Sequence, residues 1–333
     1  MEQADDDSDP LHTAAPVTRT RSFDLQGHRG ARGLRPENTL PAFAAALELG
    51  VSTLELDVGV TADGAVVVTH DRAVSPLKCR DTAPAWVRDP AFPYVGKPVR
   101  ALTLAQLKTL DLARRYPVDT AADTFMRTQR SVPGTRIATL AEVFELAEHY
   151  SAGDVRFNIE TKVDPRHPGE TLEPEPFAER VLEAVEGHGM TGRTTLQSFD
   201  WRTLLFARQE LPDLGRVALA ERRTLRPPWL AGLDLDKFDG DIAAAAGAIG
   251  ACALSPDRAF FDCAMLASAR WRGLTVVPWT VNDPADMRRL VDLGVDGCIT
   301  DYPDRLRSVL AGRGLRLPQQ YAAPETVAAS SAA

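Results

Sequence analysis

Two carboxylates two residues apart in an apolar run, Leu54-Glu55-Leu56-Asp57-Val58, are the first candidates for chemistry in this 333-residue chain. In a β-strand residues i and i+2 point the same way, so Glu55 and Asp57 share one face while Leu54, Leu56 and Val58 share the other. Acids placed this way repel each other and lose hydration, a cost that a cation or hydrogen-bond donors must offset. A divalent metal is the simplest compensation; a salt bridge to Arg or Lys is the other. Histidines flank the pair, His28 in Gly27-His28-Arg29-Gly30 and His70 in Thr69-His70-Asp71. Imidazoles next to carboxylates suit proton transfer near neutral pH, although a satisfied core histidine is the plainer alternative. The same alternation recurs where Asn158, Glu160 and Lys162 face away from Val155, Phe157 and Ile159. Gln197, Trp279 and Asp301 each end a later strand candidate. Polar groups converging from so many strand ends are hard to explain by packing alone.

The elements that must position these residues alternate short apolar strands with helix-period segments, the pattern of βα units and a parallel sheet. Strands are expected at 23–26, 53–58, 66–70, 155–161, 194–197, 216–220, 252–255, 275–279 and 297–300. Helices read clearly between them. Leu40, Phe43, Ala44 and Leu47 form one stripe stopped by Gly50; Thr139 and Glu142 make a capping box; Asp283-Pro284 opens a helix that Gly294 closes. About eight such units fit a (β/α)8 TIM barrel, whose active site lies at the C-terminal strand ends. An open doubly wound sheet is the alternative, but no Gly-x-Gly-x-x-Gly follows the first strand. Residues 72–136 hold many prolines and one good helix, 104–110, and read as an inserted, cap-like segment beside the barrel mouth. The domain reading is therefore a barrel over 22–317, with disordered tails at 1–21 and 318–333.

At the level of motifs the chain resembles the glycerophosphodiester phosphodiesterases. The matching runs are His28-Arg29-Gly30, Pro36-Glu37-Asn38-Thr39, Glu55-Leu56-Asp57-Val58, Thr61-Ala62-Asp63-Gly64, His70-Asp71, Glu160-Thr161-Lys162, Gln197-Ser198-Phe199, Trp279-Thr280-Val281-Asn282 and Thr300-Asp301-Tyr302-Pro303. The resemblance implies a (β/α)8 barrel that hydrolyses glycerophosphodiesters to sn-glycerol 3-phosphate and an alcohol. It also implies Glu55, Asp57 and Glu160 as metal ligands, His28 and His70 as the acid–base pair, and Arg29 and Lys162 as phosphate partners. Three carboxylates without a soft ligand suit one hard cation, Mg²⁺ or Ca²⁺. The resemblance makes the glycerol 2-hydroxyl the nucleophile, through a cyclic phosphate; the residues alone admit direct attack by water equally, and either histidine as the initial base. Arg29 has a second reading as a counter-charge for the acids, Lys162 as a plain ion pair, and Trp279 as core instead of a substrate-binding aromatic at the mouth. Glu37 and Asn38 are expected to order their loop and cap the following helix. Where relatives usually carry Ala-Asp before the metal strand, this chain has Val51-Ser52, a change expected to affect packing only.

Bulk properties narrow the partners. A hydrophobic content of 44%, a charged content of 25% and a net charge of −8 fit a globular protein and argue against a nucleic-acid backbone as partner. The four cysteines form no Cys-x-x-Cys pair, so neither a zinc site nor a disulfide is expected. The first twenty residues lack the apolar run of a secretory signal, and no stretch reaches the ~20 residues a bilayer demands. The expectation is a cytoplasmic enzyme acting on a small molecule without stable membrane insertion, its oligomeric state open. Three rivals remain: a lysophospholipase D-like enzyme cleaving a lipid, which would want an exposed apolar or basic rim not evident in the sequence; a metal-assisted enolisation enzyme with Lys162 as base; and a non-catalytic phosphodiester-binding barrel.

Overall fold

The computed structural model describes residues 22–112, 125 and 127–323. Eight parallel strands form the barrel wall: β1 (Asp24–Gly27), β2 (Thr53–Val60), β4 (Arg156–Thr161), β5 (Thr194–Ser198), β6 (Gly215–Ala220), β7 (Ala253–Pro256), β8 (Thr275–Val276) and β9 (Gly297–Thr300). Their spatial order is β8-β7-β6-β5-β4-β2-β1-β9. The β8/β9 seam is stitched by backbone bonds from Asp296 N–H to Val276 O (3.0 Å), Ile299 N–H to Pro278 O (3.0 Å) and Val281 N–H to Ile299 O (2.9 Å). The barrel is therefore nearly closed, as eight βα units require. One expected strand departs from the pattern. β3 (Val66–Val68) folds back antiparallel on β2, pairing Val58 with Val68 and Val60 with Val66. Thr61, Asp63 and Gly64 turn the chain tightly there: the Thr61 and Asp63 side chains bond each other at 2.6 Å, and Gly64 has φ 81°. A strand returning after only the five residues 61–65 can only be antiparallel, so it cannot be a wall strand.

The helices pack outside: α1 (Leu40–Leu49), the short α2 (Leu104–Leu107), α3 (Leu140–His149), α4 (Pro174–Gly187), α5 (Trp201–Glu210), α6 (Ile242–Ala248), α7 (Cys263–Trp271), α8 (Pro284–Leu293) and α9 (Pro303–Ala311). Their ends follow the expected signals. Thr39 caps α1 and Gly50 ends it at φ 82°; Thr139 and Glu142 form the capping box of α3; Asp283 caps α8 and Gly294 ends it at φ 79°. One continuous apolar core joins the outward faces of the strands to these helices, with Phe43, Leu54, Leu56, Phe144, Phe157, Ile159 and Trp201 fully buried.

The 72–136 segment carries a second, smaller core of its own, built from Val74, Tyr94, Val99, Leu102, Leu107 and Leu110 against Val67 and Ile137. Its helix is shorter than expected, one turn at Leu104–Leu107. Residues 113–124 and 126 of it lie outside the described residues, as does the 1–21 tail. At the other end the boundary expected at 317 moves outward. Tyr321 is buried, its N–H donates to Leu47 O at 3.1 Å, and Arg307 bonds Pro318 O at 2.8 Å. An alanine- and proline-rich composition hid a short stretch that docks through one tyrosine. The cysteines are free thiols, and no helix among the described residues is long and apolar enough to cross a membrane.

Candidate active site

Strand alternation delivers the expected residues to one place. Asp24 and Gln26 on β1 with His28 just after it, Thr53, Glu55 and Asp57 on β2, Asn158 and Glu160 on β4 with Lys162 just after it, and Thr195 and Gln197 on β5 all meet inside the barrel through side-chain bonds or shared cavities. In-register pairing of Asp57 with Glu160 brings carboxylates from two strands to one level. Oxygen atoms of Glu55, Asp57 and Glu160 lie within 4.8 Å of one another, and all three residues are buried. His28, Arg29, His70, Lys162 and Trp279 line the same cavity, of about 360 Å³, above the acids.

Each acid is held by a different set of partners. Glu55 accepts the Arg29 N–H on Oε2 at 2.9 Å and the Gln197 carboxamide on Oε1 at 2.7 Å. Asp57 accepts Asn38 Nδ2 on Oδ2 at 2.8 Å, with Arg29 Nε 3.0 Å away. Lys162 Nζ lies 3.0 Å from Asp57 Oδ1 and 2.6 Å from Glu160 Oε1. Burial and the neighbouring Asp57 and Glu160 charges push the Glu55 carboxyl well above its ordinary range. Burial likewise lifts Glu160 to about 7, against Lys162 and with Asp57. Burial would raise Asp57 too, but Lys162 and then Arg29 hold it well below the usual value. Three acids facing two cations thus leave a deficit of positive charge. Asp57 Oδ1 receives no aligned hydrogen bond although it is buried. An all-oxygen set with an unsatisfied buried oxygen fits a hard divalent cation.

The two histidines are each tied at Nδ1 to a carboxylate, leaving Nε2 as the free nitrogen. His28 Nδ1 is 2.6 Å from Asp301 Oδ1, and Asn282 Nδ2 donates to Asp301 Oδ2 at 2.6 Å. Its Nε2 lies 4.0 Å from Glu55 Oε2. His70 Nδ1 is 2.8 Å from Asp71 Oδ1, and Lys78 Nζ lies 3.0 Å and 2.9 Å from the two Asp71 oxygens. Burial, then repulsion from Arg29, lowers the His28 pKa; burial, then Lys162 and Arg29, lowers that of His70 to about 3. Both shifts favour the neutral ring.

The local backbone explains the first motif. Arg29 and Gly30 turn at φ 51° and 83° as the chain leaves β1. A Cβ on Gly30 would sit 2.6 Å from the Ala42 backbone, so only glycine lets the loop press onto α1. Arg29 itself spans the acids, with Nη1 2.8 Å from Glu37 Oε1 and Nε 3.0 Å from Asp57 Oδ2. The expected role of the next motif needs correction. Thr39, not Asn38, caps α1, while Asn38 braces Asp57 by a paired side-chain and backbone contact. Glu37 gathers Arg29, Arg32 and Lys78 at 2.7–2.8 Å. Trp279 is half-buried: its indole N–H donates to Ser255 O at 3.0 Å, its ring packs edge-to-face with Phe199 at 5.4 Å between centroids, and it lines the cavity. Sequence reasoning missed Lys78, whose partner Asp71 is readable beside His70 but whose own position depends on the fold of the inserted segment. It also missed the pairing of Asp301 with His28 across 273 residues.

A (β/α)8 barrel carrying a buried acidic trio between two carboxylate-bound histidines defines a class of enzyme that handles anionic substrates at its C-terminal strand ends. Residues 28–305 match the glycerophosphoryl diester phosphodiesterase family. The chain belongs to that family and is a phosphoric diester hydrolase. It is 30% identical over 289 residues to the glycerophosphodiester phosphodiesterase of Caldanaerobacter subterraneus subsp. tengcongensis, covering 86% of this chain and 97% of that one. It is also 30% identical over 290 residues to the enzyme of that name from Bacillus subtilis, covering 86% and 85% respectively. A crystal structure from Silicibacter pomeroyi, provisionally named a glycerophosphoryl diester phosphodiesterase, superposes with a TM-score of 0.75 at 33% identity, over 89% of this chain and 95% of that one. An Oleispira antarctica phosphodiesterase in complex with the product sn-glycerol-3-phosphate shares the fold, with a TM-score of 0.64 at 21% identity over 87% of this chain and 97% of that one.

Proposed function

We propose that this chain hydrolyses small glycerophosphodiesters to sn-glycerol 3-phosphate and an alcohol, with His28 and His70 as the acid–base pair. The observation that carries this reading is the symmetry of the two imidazoles. Each has Nδ1 fixed by a carboxylate and Nε2 left for the cavity. One imidazole, neutral, takes the proton of the attacking hydroxyl at Nε2; the other enters as the imidazolium, its Nε2 proton taken up from solvent, and gives that proton to the leaving alkoxide. Asp301 and Asp71 hold the rings and stabilise the imidazolium as it forms. Arg29 and Lys162, which line the cavity, would meet the phosphoryl oxygens, and Trp279 with Phe199 would supply an apolar wall for the carbon skeleton. Glu55, Asp57 and Glu160 would hold one Mg²⁺ or Ca²⁺, which when bound supplies positive charge opposite the phosphoryl oxygens. The curated relatives' names support the substrate class. The test is release of glycerol 3-phosphate from glycerophosphocholine, -ethanolamine, -glycerol and -inositol, with and without chelator. Turnover that ignores the chelator removes the metal from the proposal; no glycerol 3-phosphate from any of the four removes the substrate.

A second reading gains from one observation. Contrary to the sequence expectation of no apolar rim, the inserted segment exposes Leu77, Trp86, Val87 and Phe92. Asp89 and Tyr94, both buried, brace the turn that carries three of them: Tyr94 Oη donates to Asp89 Oδ2 and accepts the Ala85 N–H. Exposed aromatic and aliphatic side chains on a stiff turn favour contact with a lipid aggregate, so lysophospholipase D-like cleavage belongs in the same assay, with lysophosphatidylcholine as substrate.

A further inference from the structure

TIM-barrel interiors are usually filled by layers of branched apolar side chains. Here one layer is instead built from three amides. Below the acids, Gln26, Asn158 and Gln197, exposed by 5%, 1% and 1%, form a layer across β1, β4 and β5. It separates the active-site cavity from a second cavity of about 780 Å³ at the opposite end of the barrel, where Asp24, Thr53 and Thr195 line the wall. Buried carboxamides are costly unless their bonds are complete, and these are linked in one chain. Gln197 Nε2 donates to Glu55 Oε1 at 2.7 Å, and Asn158 Nδ2 donates to Gln197 Oε1 at 2.9 Å and to Gln26 Oε1 at 2.9 Å. Gln26 Nε2 donates to Asp24 Oδ2 at 2.9 Å; Asn158 Oδ1 accepts Thr195 Oγ1 at 2.9 Å. Asp24 is fixed in turn by Thr53 Oγ1 at 2.8 Å and Arg156 Nη2 at 2.9 Å.

The direction of this chain is not free. A carboxamide can face either way, and its neighbours decide which. An ionised carboxylate, the form in which Glu55 would bind a cation, accepts only, so Glu55 forces the NH₂ of Gln197 toward itself and Asp24 forces the NH₂ of Gln26 toward itself. Both carbonyl oxygens then face Asn158, whose single NH₂ has one hydrogen for each. Asn158 is the one residue that satisfies both arms at once. We propose that Asn158 and Gln197 act as positioning residues for cation binding: Asn158 locks the Gln197 carboxamide, and Gln197 locks Glu55 as an acceptor with its remaining lone pairs turned to the cavity. This rests on the metal reading of the acidic trio. Outer partners of a ligand contribute about 10- to 100-fold in metal affinity when removed.

The test is Ca²⁺ titration of the chelator-treated, full-length protein by calorimetry, with thermal unfolding of each variant without Ca²⁺. Gln197→Met keeps volume and removes the donor; Asn158→Leu removes both donors without touching Glu55. Both are expected to weaken Ca²⁺ binding at least 10-fold. Gln26→Met leaves the Asn158–Gln197–Glu55 arm intact and is expected to change affinity less than 3-fold. If Asn158→Leu does not fold, Asn158→Asp at pH 8 replaces it. The added negative charge alone would tighten cation binding, whereas loss of the lock weakens it, so the sign decides. Unchanged affinity in Gln197→Met and the Asn158 variant overturns the proposal, as does an equal loss in Gln26→Met, which would mark a general packing effect. Wild-type protein that binds neither Ca²⁺ nor Mg²⁺ overturns the metal reading and this inference with it.

Discussion

Replacing Asp301 by Asn isolates the role of the carboxylate behind His28. The two side chains are nearly identical in shape, and Asp301 is buried, 2.6 Å from His28 Nδ1 on one oxygen and 2.6 Å from Asn282 Nδ2 on the other. In Asp301→Asn the carbonyl is claimed by the Asn282 donor, so the NH₂ turns to His28 and forces the hydrogen of the ring onto Nε2. That nitrogen can then no longer accept a proton. Two losses follow. The imidazolium loses a charge-assisted hydrogen bond of about 1.5–3 kcal/mol, roughly 10- to 150-fold in rate at 1.36 kcal/mol per decade. The wrong tautomer costs in addition much of the acid–base contribution, itself ~10²–10⁴-fold. We expect kcat in the glycerol 3-phosphate release assay to drop at least ~10²-fold. Ca²⁺ affinity should be little changed, because Asp301 touches none of the three acids. A variant within ~10-fold of wild-type kcat, measured beside a His28→Ala protein that is crippled, would show that the carboxylate does not set the ring.

Further outcomes follow from the same geometry. His28→Ala and His70→Ala should each lose ~10²-fold or more in kcat while still binding Ca²⁺; near-normal turnover in either removes that ring from the acid–base pair. Lys78→Met frees Asp71 and Glu37 from their shared cation, so kcat should drop by roughly 10-fold with Ca²⁺ affinity unchanged, a second-partner effect of the size seen for metal sites; a change in affinity with constant kcat would contradict it. The chelated protein should gain more thermal stability from Ca²⁺ at pH 8 than at pH 5.5. The folded-state pKa of Glu160 is raised to about 7 from an ordinary 4.5. Its ionisation therefore destabilises the metal-free fold progressively between those values, and a cation must displace a proton there below pH 7. Equal Ca²⁺-induced shifts in Tm at the two pH values would refute this.

Most of the fold was legible because its signals are local. Alternation in 53–58 and 155–161, the Thr139/Glu142 box and the Gly50 and Gly294 stops depend on neighbours within a few residues, and each element formed where expected. The errors lie where a distant partner decides. Val66–Val68 has the composition of a wall strand, but the tight turn before it sends it antiparallel. Asn38 has the type of a helix cap, but Asp57, nineteen residues on, takes its side chain. The exposed turn at Trp86 and Val87 is invisible in a segment whose burial depends on its own small core.

By itself the sequence determined which residues can do chemistry and on which face of which strand they stand, since side-chain direction in a strand has a period of two residues. The tertiary structure alone decided who meets whom. Closing eight strands into a barrel fixes their register, and register set Asp57 level with Glu160, brought Asp301 behind His28 and threaded one asparagine between two glutamines. Those pairings come from loop closures of tens to hundreds of residues, for which no local pattern in the chain carries a signal.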